Sequence, residues 1–159
     1  MDSLLTLLKT NARLTADELA TMTGLTAAEV AAKIVAYEKE GVIRGYKAII
    51  NEELADKNAV TAFIEVKVAP KAEQGFDDLA KTIMSFDEVD SVTLMSGSFD
   101  LAVTLSGTDY KEIALFVARR LSTLEGVIST STHFVLKRYK ENGVLMDNDN
   151  VDERSLMSP

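Results

Sequence analysis

Two groups of side chains in this sequence have the types and spacing for recognition chemistry. The first spans residues 13–47. It combines the hydroxyl and methyl groups of Thr23, Thr26, Ala27 and Ala28 with the cations Arg13, Lys33, Arg44 and Lys47. Alanine and threonine methyls can meet thymine methyls in a DNA major groove, and Lys33 could reach a guanine or a phosphate. Arg13, Arg44, Lys47 and Lys9 suit phosphate contacts, which position a protein without specifying sequence, or each is simply a solvated charge. The second group begins at Ser96-Gly97-Ser98-Phe99-Asp100. Gly97 permits a close backbone approach, and turn N–H groups near Gly97 and Ser98 could hold a carboxylate. Asp100 could accept from an ammonium, or instead hold the hairpin in shape. The hydroxyl run Ser129-Thr130-Ser131-Thr132 could complete the lining. Thr130 and Thr132 share one strand face and Ser129 and Ser131 the other, although strands also tolerate such residues without any ligand. A small polar ligand would suit these donors and acceptors.

Other chemistry is poorly provided for. There is no cysteine and one histidine, His133. Disulfide scaffolds, thiolate zinc sites, iron–sulfur clusters and cysteine nucleophiles are excluded, and no histidine pair is available to a metal. His133 is expected to be a packed or half-exposed strand residue. No glycine-rich phosphate loop or nucleophile elbow occurs. The expectation is a protein without catalytic residues, metal or cofactor.

The positioning elements follow from periodicity. Leu4, Leu5, Leu7 and Leu8 cluster at helical spacing. Thr15 with Glu18, and Thr26 with Glu29, are two capping-box patterns. They predict helices over about 16–22 and 27–40, with Gly24 in the connection and Gly41 at the end. Three short helices in this order make a helix-turn-helix. Val42 to Ile50 then reads as a short β-ribbon, or wing. Beyond residue 58 the period changes. Ala62, Ile64, Val66 and Val68 alternate with Thr61, Phe63, Glu65 and Lys67 in a strand that Pro70 stops. Phe76, Leu79, Ala80 and Ile83 mark a helix face. Strands follow at Val89–Met95 and Leu101–Leu105, a helix over Tyr110–Leu124, and a strand from Val127 to Leu136. The fold class predicted is α+β: an N-terminal winged helix-turn-helix over 1–47, a connector at 48–58, and a ferredoxin-like β-α-β-β-α-β effector and oligomerisation domain over 59–140. Both helices should cover one sheet face. Phe63, Val92, Leu94, Ala102 and Val135 are candidates for the other, whose exposed apolar area implies a second copy of the sheet.

Lysine plus arginine number 17 and aspartate plus glutamate 25, a formal net charge of −8. Half of the excess falls in residues 141–159, with one basic and five acidic residues, read as an acidic, mobile tail. This is not the footprint of a strong non-specific nucleic-acid binder. No apolar run approaches the roughly 18 residues of a membrane span, and no secretory signal is evident.

Several stretches together resemble the Lrp/AsnC family, the leucine-responsive and asparagine-operon regulators. They are Leu8–Thr15, Glu18-Leu19-Ala20, Gly24-Leu25-Thr26, Gly41–Tyr46, Gly97–Leu101 and Gly126–Lys137. The resemblance implies a cytoplasmic transcription regulator that binds promoter or operator DNA. It implies self-association into dimers and then tetramers or octamers. An amino acid or related metabolite would bind between dimers near the Gly97–Asp100 hairpin. One departure is plain: residues 26–40 carry Lys33 and Lys39 against Glu29, Glu38 and Glu40. The alternative reading is therefore a ligand-sensing oligomer with weak or lost DNA binding. An enzymatic reading, after relatives of this fold that decarboxylate a tetrapyrrole, would need more histidine and arginine than the chain holds.

Overall fold

The first three helices form because their ends are capped and one face of each is apolar. In a computed structural model, which describes residues 2–69 and 75–146, they are α1 (Ser3–Thr10), α2 (Ala16–Thr23) and α3 (Ala27–Lys39). Both capping boxes are present: the Thr15 and Thr26 hydroxyls accept from the Glu18 and Glu29 amides, whose carboxylates bind back. Gly24 caps α2 at φ 73°, in the left-handed region, and donates to the Ala20 carbonyl. The two helices diverge by 102°, within the range of a helix-turn-helix. Leu4, Leu8, Leu19 and Val30 are buried together, with Leu14, Leu25, Ile34, Tyr37 and Ile43 packed around them.

The expected wing is not a ribbon. Residues 42–50 form no strand. The Val42 and Ile43 amides turn back onto the Tyr37 carbonyl, and among the described residues no second strand pairs with the stretch beyond Gly45. The chain divides into two compact units between Ala48 and Ile49. The stretch expected as a connector carries a short helix, α4 (Glu52–Ala55), and all of it but Ala48 falls in the second unit.

The second unit is built on β1 (Val60–Val68), α5 (Phe76–Met84), β2 (Val89–Leu94), β3 (Leu101–Gly107), α6 (Tyr110–Phe116) and β4 (Val127–Phe134). Pro70 lies outside the described residues. A π-helical turn, Val117–Leu121, extends α6, and the Ser122 amide donates to the Val117 carbonyl at 2.8 Å. The sheet order is β2-β3-β1-β4, antiparallel throughout. Ala62, Ile64, Val66, Val103, Leu101 and Leu105 meet Ile83, Ile113, Phe116 and Leu121 in one core.

The opposite sheet face differs from expectation. Phe63 and Ala102 lie on it, and Val135 stands beside Thr61 there. Val92 and Leu94 do not, because they pair with Val103 and Leu101 on the helix side. The cause is a register irregularity between Val89 and Ser91; one extra residue reverses the parity of everything after it. The open face is consequently rich in hydroxyls, with Thr93, Thr104, Ser106, Ser129 and Ser131 around Phe63.

The stretch read as an acidic tail from residue 141 opens with a hairpin. β5 (Lys140–Glu141) and β6 (Val144–Leu145) pair across Asn142-Gly143, both at positive φ (47° and 91°), as a tight hairpin turn requires. The Asn51 amide donates to the Met146 carbonyl at 2.7 Å. Residues 147–159 lie outside the described residues.

Candidate nucleic-acid interface and effector site

The outer face of α3 is set by its inner one. With Val30 buried and Ile34 and Tyr37 half-buried, the helical period turns Ala28, Ala32, Val35, Ala36 and Lys39 outward, all exposed. Ala27 is half-buried. The Thr26 hydroxyl is committed to capping α3, and the Thr23 hydroxyl to the Leu19 carbonyl at 2.7 Å. These two hydroxyls therefore hold helix ends together. Arg13, Arg44 and Lys47 are exposed, and Arg44 folds back so that Nη1 lies 3.1 Å from where a Cβ at Gly41 would stand.

Lys33 is not free. Its ammonium lies 3.1 Å from Asp2 Oδ2, which also accepts from the Tyr37 hydroxyl at 2.6 Å. Asp2 Oδ1 accepts from the Leu4 amide at 2.9 Å and so caps α1. The Tyr37, Leu4 and Lys33 donors hold the Asp2 carboxyl far below the usual carboxylate range. The same hydrogen bonds push Lys33 and Tyr37 up. Sequence reasoning missed Asp2. Its signal was an aspartate directly before an apolar helical run, a good N-cap, but the pairing with Lys33 is a tertiary contact.

In the second unit the Gly97–Asp100 hairpin joins β2 to β3. Gly97 and Ser98 are exposed, and a Cβ at Gly97 would meet nothing within 4 Å. The chain's own packing therefore does not require glycine there. Asp100 holds the hairpin. Its Oδ2 accepts from the Val68 amide at 2.7 Å, and its own amide donates to the Val66 carbonyl. The carboxylate thus continues the β1–β3 ladder one step past its last paired residue. Phe99 turns onto the open face, edge-on to Phe63 at 6.1 Å. His133 stands 6.2 Å from Phe63 on the other side, within 3.3 Å of the Ser131 hydroxyl and 3.6 Å of the Glu65 carboxylate.

The hydroxyl run divides by face. Ser129 and Ser131 oppose Lys67 and Glu65 on the open side. Thr130 and Thr132 oppose Val66 and Ile64 on the helix side, where Thr130 meets the Ser122 hydroxyl at 3.2 Å. Because β1 lies between β3 and β4, the hairpin and the run are two strand spacings apart, about 10 Å. The Phe99–Phe63–His133 row connects them. Among the described residues no group of acids and histidines could hold a metal ion, and no single helix is long and apolar enough to cross a membrane.

Comparison with known proteins decides the family. Residues 61–145 match the model of the Lrp/AsnC ligand binding domain, and residues 3–44 that of a winged helix-turn-helix DNA-binding domain. The uncharacterized HTH-type transcriptional regulator YugG of Bacillus subtilis is 43% identical over 98% of this chain and 95% of its own. The chain belongs to the Lrp/AsnC family. The leucine-responsive regulatory protein of Haemophilus influenzae is 27% identical over 87% of this chain and 83% of its own. A transcriptional regulator of Neisseria meningitidis solved as an L-Met complex aligns with a TM-score of 0.70 and 27% identity, over 89% of this chain and 93% of that one. As an Lrp/AsnC member the protein is a transcriptional regulator, with a DNA-binding helix-turn-helix unit ahead of a ligand-binding one. The relatives are named as regulators and not as enzymes.

Proposed function

We propose that this regulator reads specific DNA with α3 and senses an amino acid, or a closely related metabolite, through its second unit. The observation that carries the reading is the division after Ala48, which separates a DNA-binding unit from a ligand-binding one. The L-Met complex of the Neisseria meningitidis regulator supports an amino acid as the ligand class. The exposed Gly97-Ser98 turn offers backbone donors to a carboxylate. Assembly supports the same reading. The open sheet face, with Phe63, Phe99 and Ala102, suits a second copy of the sheet, and such dimers would stack further into tetramers or octamers. Ligand bound between dimers would then bias the geometry of the DNA-binding heads. A cytoplasmic setting follows from that role.

A thermal-shift screen of the twenty amino acids, followed by DNA binding with and without each hit, tests the proposal. At least one amino acid should raise the melting temperature and change DNA affinity. If none does either, the sensing reading fails. The second reading, weak DNA binding, is favoured by an outer face of α3 that offers Ala28, Ala32, Val35 and Ala36 with Lys39 as its one cation, and by the paired Lys33. Specific affinity no better than that for random duplex would establish it.

A further inference from the structure

Asp2 lies 31 positions before Lys33, yet the fold brings its carboxylate onto the flank of the DNA-reading helix. Three donors converge on it: the Leu4 amide at the start of α1, the Tyr37 hydroxyl and the Lys33 ammonium. A helix-terminal N–H, a tyrosine hydroxyl and a lysine are also the groups that proteins aim at DNA phosphates. The cluster is therefore an anion site already occupied by the chain's own carboxylate. It matters because α3 has little else to offer the phosphate backbone. Its outer positions Ala28, Ala32, Val35 and Ala36 are uncharged, and Lys39 is its other cation. The pair is partly solvated, with 45% of the Lys33 and 29% of the Asp2 side chain exposed. Such pairs are held weakly, so a phosphate can compete for the ammonium.

We propose that Asp2 masks the recognition helix: its carboxylate occupies Lys33 and Tyr37 in place of a DNA backbone phosphate and thereby sets both the affinity and the salt dependence of DNA binding. The inference rests on the reading that α3 binds DNA. Asp2 is a positioning residue, acting through Lys33, so its effect must disappear when Lys33 is gone.

The test uses the full chain and a fluorescent duplex of random sequence, with anisotropy titrations from about 50 to about 300 mM KCl. Asp2→Asn keeps an N-cap acceptor for the Leu4 amide but removes the charge. It should bind roughly 3–10-fold tighter at ~0.1 M salt, with the slope of log K against log salt steeper by about 0.9 for each DNA-binding head. In the double variant with Lys33→Gln the gain should vanish. Should Asp2→Asn fold poorly, Asp2→Ser also caps the helix and must give the same gain. Unchanged affinity and slope, weakened binding, or a gain that persists without Lys33 would each overturn the proposal. No binding by wild type or any variant overturns this inference and the DNA reading together. Wild-type binding with an unaffected Asp2→Asn overturns the inference alone.

Discussion

Asp100→Ala separates the two roles that this residue could have. Its Oδ2 accepts from the Val68 amide at 2.7 Å, and Val68 is buried, with 7% of its surface exposed. Removing the carboxylate leaves a partly buried N–H at the end of β1 without its acceptor. A buried donor left unsatisfied costs about 1–3 kcal/mol. Asp100 itself is only half-buried, so water can replace part of the bond, and about 1.5 kcal/mol is the expected loss. For a unit of roughly 100 residues that lowers the melting temperature by about 6–12 °C. Asp100→Asn keeps a carbonyl oxygen in position and should lose about half as much, since a neutral acceptor is weaker than a charged one. Thermal melts of the three proteins, each with and without the amino acid found in the screen, provide the assay. If Asp100→Ala melts within about 2 °C of wild type while losing its response to the amino acid, the carboxylate is a ligand contact. The structural account of the hairpin would then be refuted.

Three further outcomes are expected. Gly24→Ala should destabilise the helix-turn-helix by about 1 kcal/mol, the cost of a left-handed conformation alone, because the added Cβ meets nothing within 4 Å. A urea midpoint equal to wild type would contradict this. The Asp2, Glu18 and Glu29 carboxyls are held below their ordinary values of 3.8, 4.5 and 4.5 by hydrogen bonds. Their stabilisation is therefore fully present above about pH 5 and lost as pH falls through and below that range. Amide exchange over residues 16–39, corrected for intrinsic rates, should show falling protection between pH 5 and 3. Constant protection would speak against it. Phe63→Glu should shift the protein toward monomer in light scattering while the melt stays cooperative, because Phe63 lies outside the core cluster. An unchanged mass would remove the open sheet face as the pairing surface.

Local signals in the sequence carried most of the fold. Capping boxes at Thr15 and Thr26 and the left-handed Gly24 placed α2 and α3 within a residue or two. Alternation around Ile64 and the spacing of Phe76 to Ile83 were enough for β1 and α5. The failures are non-local, or turn on a single residue. The irregularity after Val89 moved Val92 and Leu94 to the helix side, which no count of alternating residues anticipates. The Asn142-Gly143 turn was legible as a hairpin signal but lay within an acidic stretch. The binding residues were less legible still. Thr23 and Thr26 have the chemistry to meet a base, yet their hydroxyls serve helix ends. The fate of Lys33 depends on Asp2, a contact that only the packing of α1 against α3 creates. Thr130 and Thr132 could be separated from Ser129 and Ser131 by parity, but which pair faces outward required the register with β1.

The most direct test of the account is selection of bound sequences from a random duplex library by the full-length protein, with and without a mixture of the twenty amino acids. A common motif should be enriched, and its affinity should change severalfold when the effective amino acid is added alone. A pool that stays random in both conditions, from a protein shown to be folded, would contradict the claim that α3 reads DNA under control of the second unit.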